Sequence, residues 1–331
     1  MNRERPSSSL KRISAWFVER PIIIMLLISL VFIAIFIPDF YRPRNIRNYF
    51  IQCSDVIIFA CGLLFVILNG SIDFSSAAVI GMGSLLIAMI SSTKSGWLPD
   101  SPMAIPLAML SAMALSVVLG LINGFAVTSL KIPSFIATMS TNMILMGVAL
   151  TVSMSATISG LPSSFTRFAK NSVGFVPNLC LVALAVLLLV SIIIQRSAFG
   201  RRALSVGSNP TAAFISGIPV KKTIMQLFLI NGILTGLGVI VFTMRMGVGK
   251  AGLGDNRTMD FVASVIIGGT SPSGGSATVL GTLLGAMFIT LIDNSLNMLG
   301  LPWYTIMIVK GVFVVVMSLV DAYRRNKQQQ K

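Results

Sequence analysis

The sequence predicts an all-α polytopic membrane protein with about ten membrane-spanning helices, some of them broken or re-entrant. Three observations predict it. The 331 residues are 55% hydrophobic and only 11% charged, with a mean hydropathy of +0.89, whereas a soluble domain carries about 25% charged residues. The apolar residues gather into runs long enough to cross a hydrocarbon core of about 30 Å. Polar residues and glycines punctuate those runs at regular intervals, as loops between spans do.

Residues 1–20 form an N-terminal segment with five cations and two acids, in which Ile13, Trp16 and Phe17 recur at helical spacing. That pattern suits a helix lying on the membrane surface, with a disordered tail as the alternative for the first ten residues. The first apolar run, Ile22 to Ile37, has no small-residue cleavage site after it and is read as a retained span. The spans run over 21–37, 50–69, 75–92, 103–127, 132–152, 178–194, 223–243, 259–270, 278–297 and 303–320. The eighth is too short to cross as a regular helix. The membrane domain thus covers 21–320, and a basic tail fills 321–331.

Ten spans put both termini on one side. With that side cytoplasmic, its segments hold 15 of the 25 Lys and Arg residues, the other side holds nine, and Lys310 lies within the last span. The excess favours this orientation. Arg42, Arg44 and Arg47, together in one external loop, run against it.

The longest polar interruption in the second half is the loop 195–222, with Arg196, Arg201, Arg202, Lys221 and Lys222 and no acid. Within it Asn209 can cap, Pro210 suits the first helical position and Gly217 can end the turn. This describes a short helix of about two turns between two spans. It is either a helix with a partner to touch or an ordinary surface helix tidying a loop.

Two further stretches break the apolar pattern: Asn69-Gly70-Ser71-Ile72-Asp73-Phe74-Ser75 and Gly268 through Gly275. Irregular backbone survives at membrane depth only where protein or water satisfies it, so both breaks are expected to line an internal cavity or lie at a cytoplasmic mouth. Gly120/Gly124, Gly232/Gly236 and Gly281/Gly285 are small-residue pairs four apart, which let helices approach closely.

Asp55, Asp73, Asp260, Asp293 and Lys310 lie in or near apolar runs, where charge is costly and a functional candidate by default. Against that stands a plainer reading in which Asp73 and Asp260 cap span ends and see water, while Asp293 and Lys310 form a structural ion pair. Asn69, Asn123, Asn142, Asn231 and Asn294 can bond a hydroxylated solute, or serve as glue between helices.

Several functions are excluded. There is no histidine to ligate metal or relay protons, and Cys53, Cys61 and Cys180 form no metal or disulfide framework. Neither a Gly-x-x-x-x-Gly-Lys-Ser/Thr phosphate loop nor a nucleophile elbow is present. The net charge of +15 is spread over loops and ends, so it suits topology and anionic lipid headgroups rather than nucleic acid. Energy for active transport must therefore come from a partner or an ion gradient.

In its motifs the chain resembles the sugar-type permeases of ABC importers, the ribose/galactose-like group. Ser71-Ile72-Asp73-Phe74-Ser75 is similar to that family's Gly-Ile-Asp-Leu-Ser turn. Asn123-Gly124-Phe125 followed by Lys131 to Thr138 is similar to its fifth-span entry. Phe199-Gly200-Arg201, Gly207-Ser208-Asn209-Pro210, Ala212-Ala213 and Ser216-Gly217-Ile218 resemble its cytoplasmic loop. Asp260 through Gly275, Gly281 to Gly285 and Asn294-Ser295-Leu296 resemble its late signature, so the matches run in order over about 50–315. Three departures stand out. Ser71 replaces a usual glycine, Thr258-Met259-Asp260 stands where Glu-Leu-Asp is usual, and Pro272 interrupts the late glycine turn.

The resemblance implies a type II ABC importer-like permease in a bacterial inner (plasma) membrane, with both termini cytoplasmic. It implies pairing with a second copy or a paralogue, a solute-binding protein outside, and an ATPase subunit of two fused domains that holds ATP and Mg²⁺. The permease itself is expected to bind no cofactor and to have no catalytic site. Loop 195–222 would couple to the ATPase through Arg201, Asn209, Pro210, Ala212, Ala213, Gly217 and Ile218. A translocation path would be lined by Asn69, Asp73, Phe135, Thr138, Asn142, Gly268, Gly269 and Asn294. The rival reading is a secondary transporter coupling ions through Asp73 or Asp260. A channel is disfavoured, because the sequence has no ring of charge or repeated filter.

Overall fold

The computed structural model describes residues 21–99 and 101–329, so the expected surface helix around Trp16 lies outside the described residues. The helices are α1 (Pro21–Phe36), α2 (Pro43–Leu68), α3 (Ser76–Ser91), α4 (Ala104–Thr128), α5 (Ser134–Ser153), α6 (Ser163–Lys170), α7 (Asn178–Arg196), α8 (Ala198–Ser208), α9 (Pro210–Ile215), α10 (Val220–Met246), α11 (Arg257–Ile267), α12 (Val279–Met298) and α13 (Trp303–Gln329). A hairpin of β1 (Ser172–Val173) and β2 (Val176–Pro177) follows α6. Each expected span falls on one of ten of these helices. Six of the ten are long and apolar enough to cross a membrane, while α1, α3, the apolar part of α13 and the eleven-residue α11 are shorter. The amphipathic α6 and α8 are additions that a hydropathy reading passes over.

Helix α2 is the hub. Every residue from Cys53 to Leu68 is buried, against α10 on one side and α7, α11 and α12 on the others. Phe59 stacks on Phe261 of α11 with ring centroids 4.5 Å apart. Arg245 near the end of α10 reaches across to Asp55 of α2 at 2.7 Å, its guanidinium 5.0 Å from the Phe242 ring centroid.

The small-residue pairs mark two helix crossings. The buried face of α4 is Ala104, Ala108, Ala112, Ser116, Gly120, Gly124 and Thr128, one residue every four. It lies against α10 so closely that a Cβ on Gly120 would stand 2.7 Å from the Phe228 carbonyl and 3.1 Å from Cα of Gly232. Gly281 and Gly285 of α12 press in the same way on Gly268 and Ser264 of α11. Lipid gives no hydrophobic drive for helices to associate, so this close backbone packing supplies van der Waals attraction instead.

The two ends of the bundle are distinct. Loop 195–222 meets both breaks at one end, called the loop end below. At the far end, residues 247–254 fold over α3, Ile158 pairs with Gly249, and Thr93 bonds to Gly160.

Candidate translocation and coupling site

The first break is irregular backbone satisfied by one face of α5. Ser134, Thr138 and Asn142 recur every four residues along that helix. Ser134 Oγ accepts from Ile72 N (3.3 Å), Thr138 Oγ1 from Phe74 N (3.0 Å) and Asn142 Oδ1 from Ala78 N (3.0 Å). These are the protein partners that membrane-depth backbone requires.

Asp73 sits at the centre of this break and is 3% exposed. Its Oδ1 accepts from Ser75 N (2.8 Å) and Ser75 Oγ (2.6 Å), and its Oδ2 from Asn231 Nδ2 (2.7 Å). Asn123 Nδ2 donates to Ser75 Oγ (3.1 Å), and Thr141 Oγ1 donates to Asn123 Oδ1 (2.7 Å). The chain of bonds thus joins the start of α3 to α4, α5 and α10. The plainer of the two readings, in which Asp73 sees water, is corrected: it organises the break from inside. Asp73→Ala leaves three donors without their acceptor, each worth about 1–3 kcal/mol when buried. A lowered thermal midpoint in detergent is expected, with Asp73→Asn milder; an unchanged midpoint for Asp73→Ala would mean that water satisfies those donors.

Of the residues assigned to a path, Asn69, Asp73, Phe135, Thr138 and Asn142 come together at this break. Asn69 donates to Ser71 Oγ (3.2 Å), and the oxygens of Thr138 and Asn142 are engaged by the backbone. Phe135 is 54% exposed and packs edge-on against Phe74, 5.5 Å between centroids. Gly268 and Gly269 follow the last turn of α11, and Gly268 presses on Gly281 of α12. Asn294 is elsewhere: it lies toward the far end and accepts from Asn45 Nδ2 at 2.9 Å.

The residues assigned to coupling occupy α8, α9 and the turn after them. Ser197 caps α8 by accepting from Gly200 N (2.9 Å), and Arg201 on that helix donates to the Arg196 carbonyl (3.3 Å). Asn209 Oδ1 accepts from Ala212 N (3.0 Å), with Pro210 in the first turn, as the sequence implied. The helix ends at Ile215, close to the two turns expected. Gly217 follows at φ +80°, and Ile218 N donates to the Ala213 carbonyl (3.0 Å). Ala213 is buried and Ala212 exposed, while Phe214 and Ile215 are 72% and 80% exposed. Those two apolar side chains escaped the sequence reading, although their place beside Ala213 in an otherwise polar loop was a usable signal.

The loop meets both breaks through close backbone approach and one serine side chain. Gly207 in α8 lies so near α2 that a Cβ there would stand 2.0 Å from the Leu68 carbonyl oxygen. The same oxygen accepts from Gly275 N at 2.8 Å, and Ser208 Oγ donates to the Gly275 carbonyl at 3.4 Å. The end of α2, the late glycine turn and α8 thus meet at one point. Both breaks lie at the mouth of the bundle, directly above the loop.

At the far end, Lys310 of α13 bonds Asp260 of α11 (3.0 Å to each oxygen) and Asp293 of α12 (2.7 Å). Arg257 adds contacts of 3.4 Å to Asp293 and 3.7 Å to Asp260. The four charges line a cleft of about 970 Å³ that has Trp303 on its wall. The suggested Lys310–Asp293 pair is therefore half of a larger network. Asp260, 7% exposed, is paired with Lys310 rather than bathed in water, a second correction.

Residues 45–317 match the model of a family described as branched-chain amino acid transport system / permease component. The chain belongs to this family of permeases. The permease is 32% identical to the ribose import permease protein RbsC of Bacillus subtilis (strain 168) over 298 residues, covering 89% of this chain and 90% of the relative. It is 29% identical to RbsC of Escherichia coli (strain K12) over 319 residues, 95% and 96% of the two chains. It is 28% identical to the galactose/methyl galactoside import permease protein MglC of Salmonella typhimurium over 330 residues, 96% and 98% of the two. No solved structure matches it.

Proposed function

We propose that the permease is the membrane subunit of an ATP-driven importer for a monosaccharide or a related small polyhydroxylated solute. The substrate class rests on the relatives, named as import permeases for ribose and galactose and matched over nearly their whole length. Family membership favours this reading over an ion-coupled secondary transporter.

One observation carries the coupling role. In a loop of five cations and no acid, a capped six-residue helix holds Phe214 and Ile215 out, away from the rest of the chain. Burying a side chain of that size contributes about 1.5–3 kcal/mol, which is gained only against a partner. An apolar groove with an acidic rim on an ATPase subunit is the complement. Arg201, Asn209, Pro210, Ala212, Ala213, Gly217 and Ile218 shape or flank the docked helix, and ATP with Mg²⁺ belongs to that ATPase of two fused domains. A solute-binding protein delivers solute at the far end, and a second permease copy or a paralogue completes the path. Loop 195–222 and both termini then face the cytoplasm of a bacterial inner membrane. Phe135, exposed beside the Asp73 break, is the side chain best placed to meet solute.

The test is a pull-down from the native membrane, comparing the parent chain with Phe214→Asp/Ile215→Asp. An ATPase should accompany the parent and be lost with the variant, while the thermal midpoint is unchanged because neither side chain packs inside the fold. A parent chain that purifies alone, and moves solute down a proton or sodium gradient, would transfer the case to the secondary transporter.

A further inference from the structure

The far end carries more positive charge than topology explains. Arg44 and Arg47 open α2, and Arg167 and Lys170 close the amphipathic α6. All four are exposed, and among the described residues none is paired with an acid, although nearby Arg42 is paired with Asp39. Arg47 also donates to the carbonyl of Lys170, which draws the two groups of cations together.

Directly beneath them is an apolar groove of about 360 Å³ between α2 and α7. Arg47, Phe50, Ser54 and Ile57 recur three or four apart on α2, so the cations stand at the head of the stripe that lines the groove. Phe175 and Val176 of the hairpin form its upper lip, and Cys180, Leu184 and Leu187 its other wall. Ser54 Oγ donates to the Phe50 carbonyl (2.9 Å), so this polar atom in the lining is already satisfied within α2. From Phe50 to Ile57 the groove runs about 10 Å along the helix, roughly a third of a hydrocarbon core. Phe175, at the tip of the hairpin, is fully exposed, as a side chain seated among headgroups would be.

We propose that this groove is a specific site for an anionic phospholipid, with one acyl chain along α2 and α7 and the phosphate against Arg44, Arg47 and Lys170. Charge complementarity selects the occupant, because an apolar trough capped by unpaired cations fits a chain that carries an anionic head. The site also accounts for the arginines that oppose the positive-inside bias: they serve headgroup binding at the far end, not orientation.

Cys180 gives a direct readout, since it lines the groove half-buried whereas Cys53 and Cys61 are fully buried. The purified full-length permease, with any subunits that accompany it, is placed in nanodiscs of phosphatidylcholine alone or mixed with phosphatidylglycerol. The rate at which an apolar maleimide labels Cys180 is then followed by peptide mapping. Phosphatidylglycerol should slow labelling severalfold relative to phosphatidylcholine. Each cation beside the headgroup is worth about a factor of five in lipid affinity, so Arg44→Gln/Arg47→Gln should weaken the protecting lipid roughly thirtyfold. Leu184→Trp, on the lipid-facing wall, keeps the cations but fills the groove and should abolish lipid protection. Equal protection by both lipids, or protection that survives Arg44→Gln/Arg47→Gln, would overturn the proposal in favour of ordinary surrounding lipid. Protection that disappears on diluting the permease would overturn it in favour of a second copy seated on the groove.

Discussion

Gly207→Val is expected to cut solute uptake at least tenfold while leaving the permease inserted and bound to its partner. The added Cβ would stand 2.0 Å from the Leu68 carbonyl oxygen and 2.8 Å from Gly275 N. Both neighbours are backbone, so no side chain can swing aside, and the 2.8 Å bond from Gly275 N to Leu68 O has to open. Overpacking of this kind costs typically about 1–3 kcal/mol, and a tenfold rate effect needs only about 1.4 kcal/mol of it in the barrier between states. The docking face proposed for α9 is untouched, so a pull-down should still recover the proposed ATPase partner. Gly217→Val makes the informative contrast. No atom lies within 4 Å of its added Cβ, so its cost is the left-handed backbone alone, about 1–2 kcal/mol confined to the turn after α9. That variant should weaken coupling without disturbing the span ends. Uptake and thermal midpoint both unchanged in Gly207→Val would show that the junction does not carry the motion.

The same junction shows where the sequence stops being legible. The ten spans were readable because lipid demands long apolar runs, and each run became a helix. Asn209 and Pro210 announced α9 by local chemistry that needs no tertiary context. The breaks at Asn69–Ser75 and Gly268–Gly275 were visible as interruptions, but their meeting under Gly207 was not. It is made by main-chain atoms of three distant segments, and a glycine in sequence does not say what approaches it. Asp73 was visible as a charge, but the plainer reading of it as a water-facing cap fails, because Ser75 and Asn231 bond it directly and Asn123 and Thr141 extend that network to two more helices. Helix α8 had its cap in Ser197, yet five cations in the loop hid an amphipathic pattern only eleven residues long.

Lys310→Met should be the most destabilising single exchange of a charged residue in the permease. Lys310 of α13 reaches into the bundle, where it is shared by Asp260 and Asp293. Its removal leaves the carboxylates of Asp260 and Asp293, 9% and 17% exposed at the side chain, facing Arg257 at 3.7 and 3.4 Å respectively. Breaking a buried pair from one side costs about 3–5 kcal/mol, whereas replacing the whole group with neutral residues is often close to neutral. Lys310→Met alone should therefore lower the thermal midpoint strongly, and Lys310→Met/Asp260→Asn/Asp293→Asn should recover most of the loss, because the one charge it leaves, Arg257, is 29% exposed and can reach water in the cleft. The differences between single and combined variants measure the coupling directly. If Lys310→Met alone is as stable as the parent, water in the adjoining cleft already hydrates the two carboxylates. The recovered triple variant also separates the two transport mechanisms. A permease driven by a partner ATPase uses the network only to hold α13 against α11 and α12, so uptake should return with stability. A transporter that couples an ion through Asp260 would stay inactive however stable the neutral variant became.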